Sequence, residues 1–144
     1  MKNKEKEGTL YAVYGTLRKT GSNHRLLDNE DKVDFIGRVD SDPVYTLKSV
    51  LDNFPALLKK GNTSVVMEIY DIKCKGVESK LDQLEGYSAD REEDQNYYQK
   101  DIINTPLGPA FIYFWNQNNK QGLKNIESGD WIDYILTAKT RHDK

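Results

Sequence analysis

The sequence has few of the residues that build disulfide-linked, metal-binding and membrane proteins. It contains one cysteine, Cys74, and two histidines, His24 and His142, in 144 residues. One cysteine permits no intramolecular disulfide and fits a reducing compartment, and these side chains are too few for a typical zinc site. No apolar run approaches the ~20 residues of a membrane span, and no apolar stretch follows the lysine-rich start. We therefore expect a cytoplasmic protein that binds no metal and no membrane.

The chain also has little excess charge of either sign. Its net charge is -2, and its basic residues are interleaved with acids, which argues against a nucleic-acid partner. The length fits one domain, which would bury roughly 68–70% of the surface of the unfolded chain. Charge concentrates at both ends. We predict a disordered tail at residues 1–8, a single domain at residues 9–138 and a charged tail at residues 139–144.

Hydrophobic spacing predicts many short strands and few helices. Six or seven strands are expected, at residues 9–14, 33–39, 44–50, 57–59, 64–72, 97–103 and 110–115. A central helix at residues 76–87 is indicated because Val77, Leu81 and Leu84 share one face, and Gly86 is a natural stop. Asp130 can cap a last helix. The pattern is typical of an α+β fold with a closed or strongly curved sheet and helices packed on it.

The first candidate functional feature is the loop Tyr14-Gly15-Thr16-Leu17, directly after the first strand. Glycine at a strand end lets the backbone approach a ligand closely, and consecutive N–H groups can converge on carboxylate or phosphate oxygens. The loop lacks the second glycine and the Lys-Ser/Thr pair of a Walker loop. On these residues alone an ordinary turn is the simpler interpretation.

The second candidate is Glu85, in the last turn of the central helix. At about 100° per residue it lies roughly 40° from Leu81, at the edge of the apolar face, whereas Asp82 is expected to face solvent. Burial and the negative end of the helix dipole would both raise its pKa toward neutrality, which suits a general acid or base. The alternative is an exposed surface glutamate, as most glutamates are.

Two further features could form a pocket wall. Several aromatic residues are expected to be core residues for the most part, with two or three lining a site for a small ligand: Tyr11, Tyr70, Tyr87, Tyr97, Tyr98, Tyr113 and Trp115. The proline-containing bend at residues 52–56 could contribute another wall, although a plain turn explains it equally well.

These features occur in one order along the chain. The series contains Tyr-Gly-Thr-Leu at 14–17, Phe-Pro-Ala-Leu at 54–57, Glu-Ile-Tyr at 68–70, Leu-Asp-Gln-Leu-Glu-Gly-Tyr at 81–87, Tyr-Tyr at 97–98 and Ser-Gly-Asp-Trp at 128–131. Over about residues 9–135 it resembles the gamma-glutamylcyclotransferase-like family. The resemblance implies a small mixed, mostly antiparallel β-barrel flanked by helices, with the active-site cavity at the barrel mouth.

The resemblance also implies a reaction and assigns roles. Such enzymes cyclise a γ-glutamyl group to 5-oxoproline and release an amine, without a metal or organic cofactor. This is amide-cleaving lyase or acyltransferase chemistry. Glu85 matches the catalytic glutamate, and Tyr14, Gly15, Thr16 and Leu17 match the substrate-binding loop. Tyr87 and Tyr98 are expected to be pocket residues, and the partner is a small γ-glutamyl molecule.

Some positions depart from the family pattern, and other functions stay open. Met67, Gln99-Lys100 and Arg18 replace residues that are common in the family, and these changes could reshape the pocket. One alternative is a non-catalytic module that binds a small anion or metabolite in the same cavity, with Arg18 beside the loop amides. Another is a docking domain that uses the acidic segment 90–94, which is more simply a solvated loop. Exposed aromatics leave a homodimer open.

Overall fold

The computed structural model describes residues 5–29, 31–116 and 123–142. These residues form eight strands and two α-helices, which are β1 (Glu5–Val13), β2 (Val33–Asp40), β3 (Tyr45–Val50), β4 (Phe54–Thr63), β5 (Val66–Cys74), α1 (Lys75–Leu84), β6 (Tyr98–Thr105), β7 (Gly108–Trp115), β8 (Leu123–Asn125) and α2 (Trp131–His142). Short 3-10 helices lie at His24–Leu27 and Glu93–Gln95. In these ranges no helix is long and apolar enough to cross a membrane.

The strands form two sheets. The larger sheet has the order β2-β5-β1-β7-β6, and the smaller has the order β4-β3-β8. Strand β1 is central in the larger sheet, where it runs antiparallel to β5 and parallel to β7. The remaining pairs of both sheets are antiparallel. The predicted α+β class with a mixed, mostly antiparallel strand arrangement is therefore confirmed.

The predicted closure into a barrel is wrong. Among the described residues no hydrogen-bonded ladder joins the two sheets, because β3 pairs with β4 on one edge and with β8 on the other. The larger sheet is strongly curved instead. A Cβ added to Gly37 in β2 would lie 2.9 Å from Leu107, in the turn between β6 and β7. The two ends of this sheet thus approach each other without pairing.

The larger sheet is covered on both faces. One face packs against the smaller sheet and α2 through a shared core that includes Ala12, Leu47, Leu57, Met67, Ile69, Ile112 and Trp131. The other face packs against α1 and the first 3-10 helix through Tyr11, Leu27, Tyr70, Ile72, Val77 and Leu81. This double coverage explains why Val66–Tyr70 of β5 are buried without interruption.

Several predicted boundaries differ from the structure. Strand β4 is longer than the predicted segment 57–59, because it pairs along the length of β3. Strand β8 was not predicted, since its three residues carry no alternating pattern and are held by pairing with Lys48–Val50. The predicted helix at 76–87 is confirmed, although it begins at Lys75 and ends at Leu84.

Regular structure also extends into both predicted tails. Strand β1 begins at Glu5, which pairs with Cys74 ahead of an irregular register. The predicted disordered tail is therefore wrong for residues 5–8. Helix α2 continues to His142, so it includes the first four residues of the charged segment 139–144. Residues 1–4 and 143–144 lie outside the described residues.

Candidate active site

Helix α1 ends in a motif that fixes the position of Glu85. Glu85 is the C-cap, and Gly86 follows with a φ of 64°, a left-handed conformation that glycine adopts without steric cost. The N–H of Gly86 donates to Gln83 O at 3.2 Å, and the N–H of Tyr87 donates to Asp82 O at 2.9 Å. This pair of hydrogen bonds is a Schellman motif. Glu85 therefore lies one residue beyond the helix, on a turn with a defined exit direction.

Glu85 and the loop after β1 line the same cavity. The cavity has a volume of about 370 Å³ when the solvent at its mouth is included. Its walls are formed by Ala12, Val13, Tyr14, Gly15, Thr16, Leu17, Phe54, Pro55, Glu85, Tyr98 and Tyr113. The structure thus brings together six of the seven predicted site residues, although the loop and Glu85 are far apart in sequence.

Burial raises the pKa of Glu85 from its ordinary value of 4.5 to about 7. The carboxyl lies in a cavity wall and is only partly exposed. Within the described part of the chain, no cation and no hydrogen-bond donor meets the carboxyl. Removal from water therefore disfavours the ionised form without compensation. At neutral pH the carboxyl can both accept and donate a proton, as a general acid/base must.

The loop that lines the cavity also has backbone N–H groups without an acceptor among the described residues. Among the described residues, no acceptor meets the N–H groups of Gly15, Thr16 and Leu17, and the N–H of Arg18 closes the turn on Gly15 O at 3.0 Å. Asn23 supports the loop from behind, since its Nδ2 donates to Thr16 Oγ1 at 2.9 Å and its N–H donates to Thr16 O at 2.8 Å. Unpaired amides that line a concave wall suit a carboxylate or an oxyanion.

Gly15 is required by space. A Cβ added at this position would lie 2.3 Å from Cγ of Pro55, which is closer than side-chain atoms pack. Pro55 belongs to β4 and lines the cavity beside the loop. The missing side chain therefore lets the loop and β4 approach each other, so residues 54–55 of the predicted bend form a wall of the cavity.

A buried ion network anchors the far end of the loop. The Arg18 guanidinium contacts the Glu68 carboxylate at 3.1 Å and the Asp130 carboxylate at 2.8 Å, and only 3% of Arg18 is exposed. The backbone N–H of Lys19 donates to Glu68 Oε1 at 2.9 Å, and Tyr70 donates to the same atom at 2.8 Å. Because two carboxylates engage Arg18 away from the cavity, the interpretation that Arg18 binds an anion beside the loop is wrong.

This network also explains the Ser-Gly-Asp-Trp segment. Asp130 caps α2 by accepting from the N–H of Asp133 at 3.2 Å. Burial tends to raise the pKa of Asp130, but the hydrogen bond from Arg18 lowers it below its ordinary value. Gly129 adopts a φ of 72°, and a Cβ there would lie 1.9 Å from Ser64 O. The segment thus ties α2 to the loop through Arg18 and does not itself line the cavity.

Three tyrosine rings line the cavity while their hydroxyls point to partners in its walls. Tyr14 donates to Tyr113 O, Tyr98 donates to Pro55 O, and Tyr113 donates to Asp82 Oδ1, each at 2.5 Å. Burial raises the pKa of all three phenols above the ordinary value, so they stay neutral. The three rings therefore shape the cavity. Two of them, Tyr14 and Tyr98, were predicted from the sequence to be site residues.

Tyr87, the seventh predicted site residue, is not among the residues that line this cavity. Its ring packs 6.4 Å from the ring of Tyr113, which does line the cavity. Asp82 was also misjudged, because it accepts hydrogen bonds from Tyr113 and from Lys100 Nζ at 3.0 Å instead of facing solvent. Helical spacing located Asp82 on α1, but it could not show that β6 and β7 supply donors beside it.

The positions that depart from the family pattern contact other parts of the fold. Met67 is fully buried in the core between the two sheets. Gln99 Oε1 accepts from Asn96 Nδ2 at 2.9 Å, and Lys100 bonds Asp82. Arg18 belongs to the ion network. None of these side chains lines the cavity of Glu85. Among the residues that the structure describes, no cluster of His, Cys, Asp and Glu could hold a metal ion.

The chain is similar in sequence to known proteins over most of its length. Residues 11–133 match the family described as Gamma-glutamyl cyclotransferase, AIG2-like. A Vibrio cholerae protein, named provisionally as a gamma-glutamylcyclotransferase, is 34% identical over 126 residues, covering 88% of this chain and 97% of that protein. The gamma-glutamylcyclotransferase family protein YtfP of Escherichia coli K12 is 34% identical over 122 residues, covering 84% of this chain and 94% of that protein.

The fold is similar to a solved structure as well. The crystal structure of an uncharacterised protein from Pyrococcus horikoshii superposes with a TM-score of 0.70 at 25% identity, over 93% of this chain and 98% of that one. The matched family region begins in β1, includes the loop and Glu85, and ends in α2. The resemblance inferred from the motifs is therefore confirmed, and the chain belongs to the gamma-glutamyl cyclotransferase, AIG2-like family of enzymes.

Proposed function

We propose that this protein is a γ-glutamylcyclotransferase in which Glu85 is the general acid/base. One observation carries the proposal: the Glu85 carboxyl, with its pKa raised to about 7, shares a cavity with the unpaired N–H groups of Gly15–Leu17. A proton carrier and an oxyanion-binding wall that meet in one small cavity are the two elements that intramolecular acyl transfer needs.

The loop amides hold the oxygen atoms of the γ-glutamyl group. The N–H groups of Gly15, Thr16 and Leu17 donate to its carboxylate or to the reacting carbonyl, where negative charge develops. The rings of Tyr14, Tyr98 and Tyr113 enclose the carbon chain. A narrow cavity favours a folded substrate, with its α-amine close to its own side-chain carbonyl. Since nucleophile and electrophile belong to one molecule, positioning supplies much of the rate.

The chemical step moves one proton and exchanges one amide bond for another. The α-amine nitrogen attacks the δ-carbonyl carbon, and Glu85 takes the proton that the nitrogen loses. The bond from the δ-carbon to the leaving nitrogen then breaks, and Glu85 returns the proton to that nitrogen. The products are 5-oxoproline and a free amine. No water, oxidant or cofactor is consumed, and the Glu85 carboxyl returns to its initial state.

The experiment is to incubate the protein with a panel of γ-glutamyl amides and to quantify 5-oxoproline by mass spectrometry. We expect product from at least one amide, and a loss of at least about a thousandfold in kcat for Glu85→Gln, which keeps the shape but cannot carry the proton. Glu127→Gln is the matched control, because Glu127 is an exposed glutamate away from the cavity. The proposal fails if no amide gives 5-oxoproline, or if Glu85→Gln turns over as fast as Glu127→Gln.

A further inference from the structure

A largely buried ion pair adjoins the wall of the Glu85 cavity. Lys100 of β6 contacts the Asp82 carboxylate of α1 at 3.0 Å, and the two side chains are 13% and 29% exposed. The hydroxyl of Tyr113 donates to the same carboxylate oxygen at 2.5 Å, while the Tyr113 ring lines the cavity. The pair therefore contacts one wall of the cavity without lining it.

Four aromatic rings lie around the ammonium of Lys100. The distances from Nζ to the ring centres are 4.7 Å for Phe111, 4.9 Å for Tyr11, 5.8 Å for Tyr113 and 6.0 Å for Tyr87. Aromatic faces attract a cation electrostatically, and the attraction is stronger where water is excluded. The rings therefore help to hold the lysine charge in one place, beside the Asp82 carboxylate.

Asp82 connects the end of α1 to two strands. It lies three residues before Glu85, about one helical turn away, and its main-chain oxygen accepts from the N–H of Tyr87 in the turn that carries Glu85. Its side chain accepts from Lys100 in β6 and from Tyr113 in β7. Loss of these contacts would leave the turn freer to move, and small displacements of a reacting group are costly in rate.

Other titratable groups also face Glu85. They include the phenols of its cavity wall and two groups on the solvent side: Tyr14, Tyr98 and Tyr113 in the wall, and Tyr97 and Arg25, which donates to Ser22 O at 3.2 Å. Burial raises the pKa of the three wall phenols, so they are neutral. Arg25 is exposed, and solvent screens its charge. The Asp82–Lys100 pair instead holds its charges inside the protein, where screening is weak.

The charges of the pair largely cancel at a distance. Asp82 and Lys100 are opposite in sign and their charged atoms are 3.0 Å apart, so beyond the pair their potentials offset one another. Burial then accounts for the pKa of Glu85, which it raises to about 7. If either member were lost, the other would leave an uncompensated charge at the helix end that carries this carboxyl.

We propose that Asp82 and Lys100 form a positioning pair for Glu85, which fixes the helix end that carries this carboxyl and, as a neutral pair, shields its proton from either single charge. The inference rests on the proposed function, in which Glu85 accepts and returns a proton. Neither member touches the substrate. Both act through the Tyr113 ring and the end of α1, so their loss changes the proton affinity and the position of Glu85.

The two single substitutions should move the titration of Glu85 in opposite directions. Lys100→Met leaves the Asp82 carboxylate, which disfavours a second negative charge and moves the midpoint upward. Asp82→Asn leaves the Lys100 cation, which favours that charge and moves the midpoint downward. We expect at least about half a pH unit each way, and a midpoint within about 0.2 pH unit of wild type when both substitutions are combined.

Two measurements give the midpoint. One is the pH dependence of kcat/KM for 5-oxoproline formation, and the other is carbon NMR of protein labelled at the glutamate carboxyl carbon, with the Glu85 signal assigned by its absence in Glu85→Gln. Lys59→Met and Asp101→Asn are matched controls, because this exposed ion pair lies outside the cavity of Glu85. Both controls should keep the wild-type midpoint. If Lys100→Met does not fold, Lys100→Gln removes the same charge and takes its place.

A pair that only stabilises the fold would lower the free energy of unfolding and leave the midpoint at its wild-type value. We also expect each single variant to lower kcat about tenfold on the high-pH plateau and to keep KM within about threefold, because a displaced Glu85 mainly affects the transition state. Midpoints that stay at the wild-type value or move in the same direction, or a plateau kcat equal to that of wild type, would overturn the inference.

The NMR titration separates this inference from the proposed function, because it needs no turnover. If wild type forms no 5-oxoproline but the midpoints move apart, the cyclotransferase proposal fails and the action of the pair on Glu85 stands. If 5-oxoproline forms and requires Glu85 but the midpoints do not separate, the cyclotransferase proposal stands and the positioning pair is wrong.

Discussion

The pKa of the Glu85 carboxyl is raised by burial and not by a charged partner. Burial alone raises its pKa to about 7, and the cavity wall around it is formed by aromatic rings, Pro55 and the loop. A carboxyl whose proton affinity is set by burial remains free to exchange that proton with a bound molecule. A carboxyl paired with an arginine, such as that of Asp130, is held in the ionised form instead.

The same burial makes stability depend on pH. The folded-state pKa of about 7 exceeds the ordinary value of 4.5, so the folded protein binds the Glu85 proton more tightly than the unfolded chain does. This contribution to stability is fully present below pH 4.5 and is lost as the pH rises to about 7. At about 1.4 kcal/mol per pKa unit, Glu85→Gln should gain up to about 3 kcal/mol over wild type across this window.

Urea denaturation of both proteins at pH 5 and pH 8 measures this gain. Glu127→Gln, whose carboxyl is exposed, is the matched control. A difference between Glu85→Gln and wild type that stays constant with pH would mean that the Glu85 carboxyl titrates normally.

Gly15 contributes to the site by having no side chain. In Gly15→Ala the new Cβ would lie 2.3 Å from Pro55 Cγ, so the loop or β4 must shift. We expect a loss of about 1–3 kcal/mol in the free energy of unfolding and at least a tenfold fall in kcat/KM, as is typical of ~1 Å displacements in overpacked or misaligned sites. Thermal unfolding and the 5-oxoproline assay measure both effects.

Gly76→Ala is the matched control for this prediction. Gly76 lies in the first turn of α1, where an added Cβ would meet Cys74 Sγ at an ordinary 3.6 Å. This variant should be unchanged in activity and equal or higher in stability, by up to about 1 kcal/mol. If Gly15→Ala behaves like Gly76→Ala, close contact with β4 is not what requires glycine in the loop.

At the level of elements, the loop after β1 is held in place by neighbours distant in sequence. Arg18 links it to Glu68 in β5 and to Asp130 at the start of α2. Arg18→Met would leave the Glu68 carboxylate, itself 5% exposed, without its cation. We expect a loss of about 3–5 kcal/mol in the free energy of unfolding, measured by urea denaturation.

An exposed ion pair gives the comparison. Lys59 contacts Asp101 at 3.0 Å, but both side chains are at least half exposed. Lys59→Met should therefore change stability by no more than about 1 kcal/mol. Similar losses in the two variants would show that burial of the Arg18 network adds nothing to the free energy of unfolding. The anchoring of the loop would then need another explanation.

The sequence predicts an element where neighbouring residues carry a periodic apolar pattern or a stop signal, and it misses an element that depends on distant partners. The apolar face of Val77 and Leu81 was sufficient to predict α1, and Gly86 marked its end correctly. The partner of Asp82 and the role of Arg18 could not be predicted, because both depend on strands that only the tertiary fold brings alongside. Strand β8 was missed for the same reason, since it exists through pairing with β3.

At the scale of the whole molecule, the two faces of the larger sheet pack against different elements and form two separate cores. One face forms the shared core with the smaller sheet and α2, and the other packs against α1, which ends at Leu84, directly before Glu85. The sequence indicated a curved sheet with helices on it, but it could not distinguish a closed barrel from two open sheets. That difference depends on which strand edges pair. Both edges of β3 pair within the smaller sheet, one with β4 and the other with β8, so β3 does not join the two sheets.

The Met67→Ala variant tests whether the core between the two sheets is separate from the cavity of Glu85. It is fully buried in the shared core, so Met67→Ala should lower the free energy of unfolding by about 2–5 kcal/mol. Because Met67 does not line the cavity of Glu85, the ratio of kcat/KM values among γ-glutamyl amides should stay within about twofold of wild type. A changed substrate ranking in a folded Met67→Ala protein would show that this departure from the family pattern does shape the site.

The measurement that tests the central claim most directly is the pH dependence of kcat/KM for 5-oxoproline formation. A base must be ionised to accept the α-amine proton, so the rate governed by Glu85 should rise with pH and level off above an apparent pKa of about 7. The residual rate of Glu85→Gln should lack this step. A step near pH 4.5, or the same step retained in Glu85→Gln, would contradict the assignment of Glu85 as the group that carries the proton.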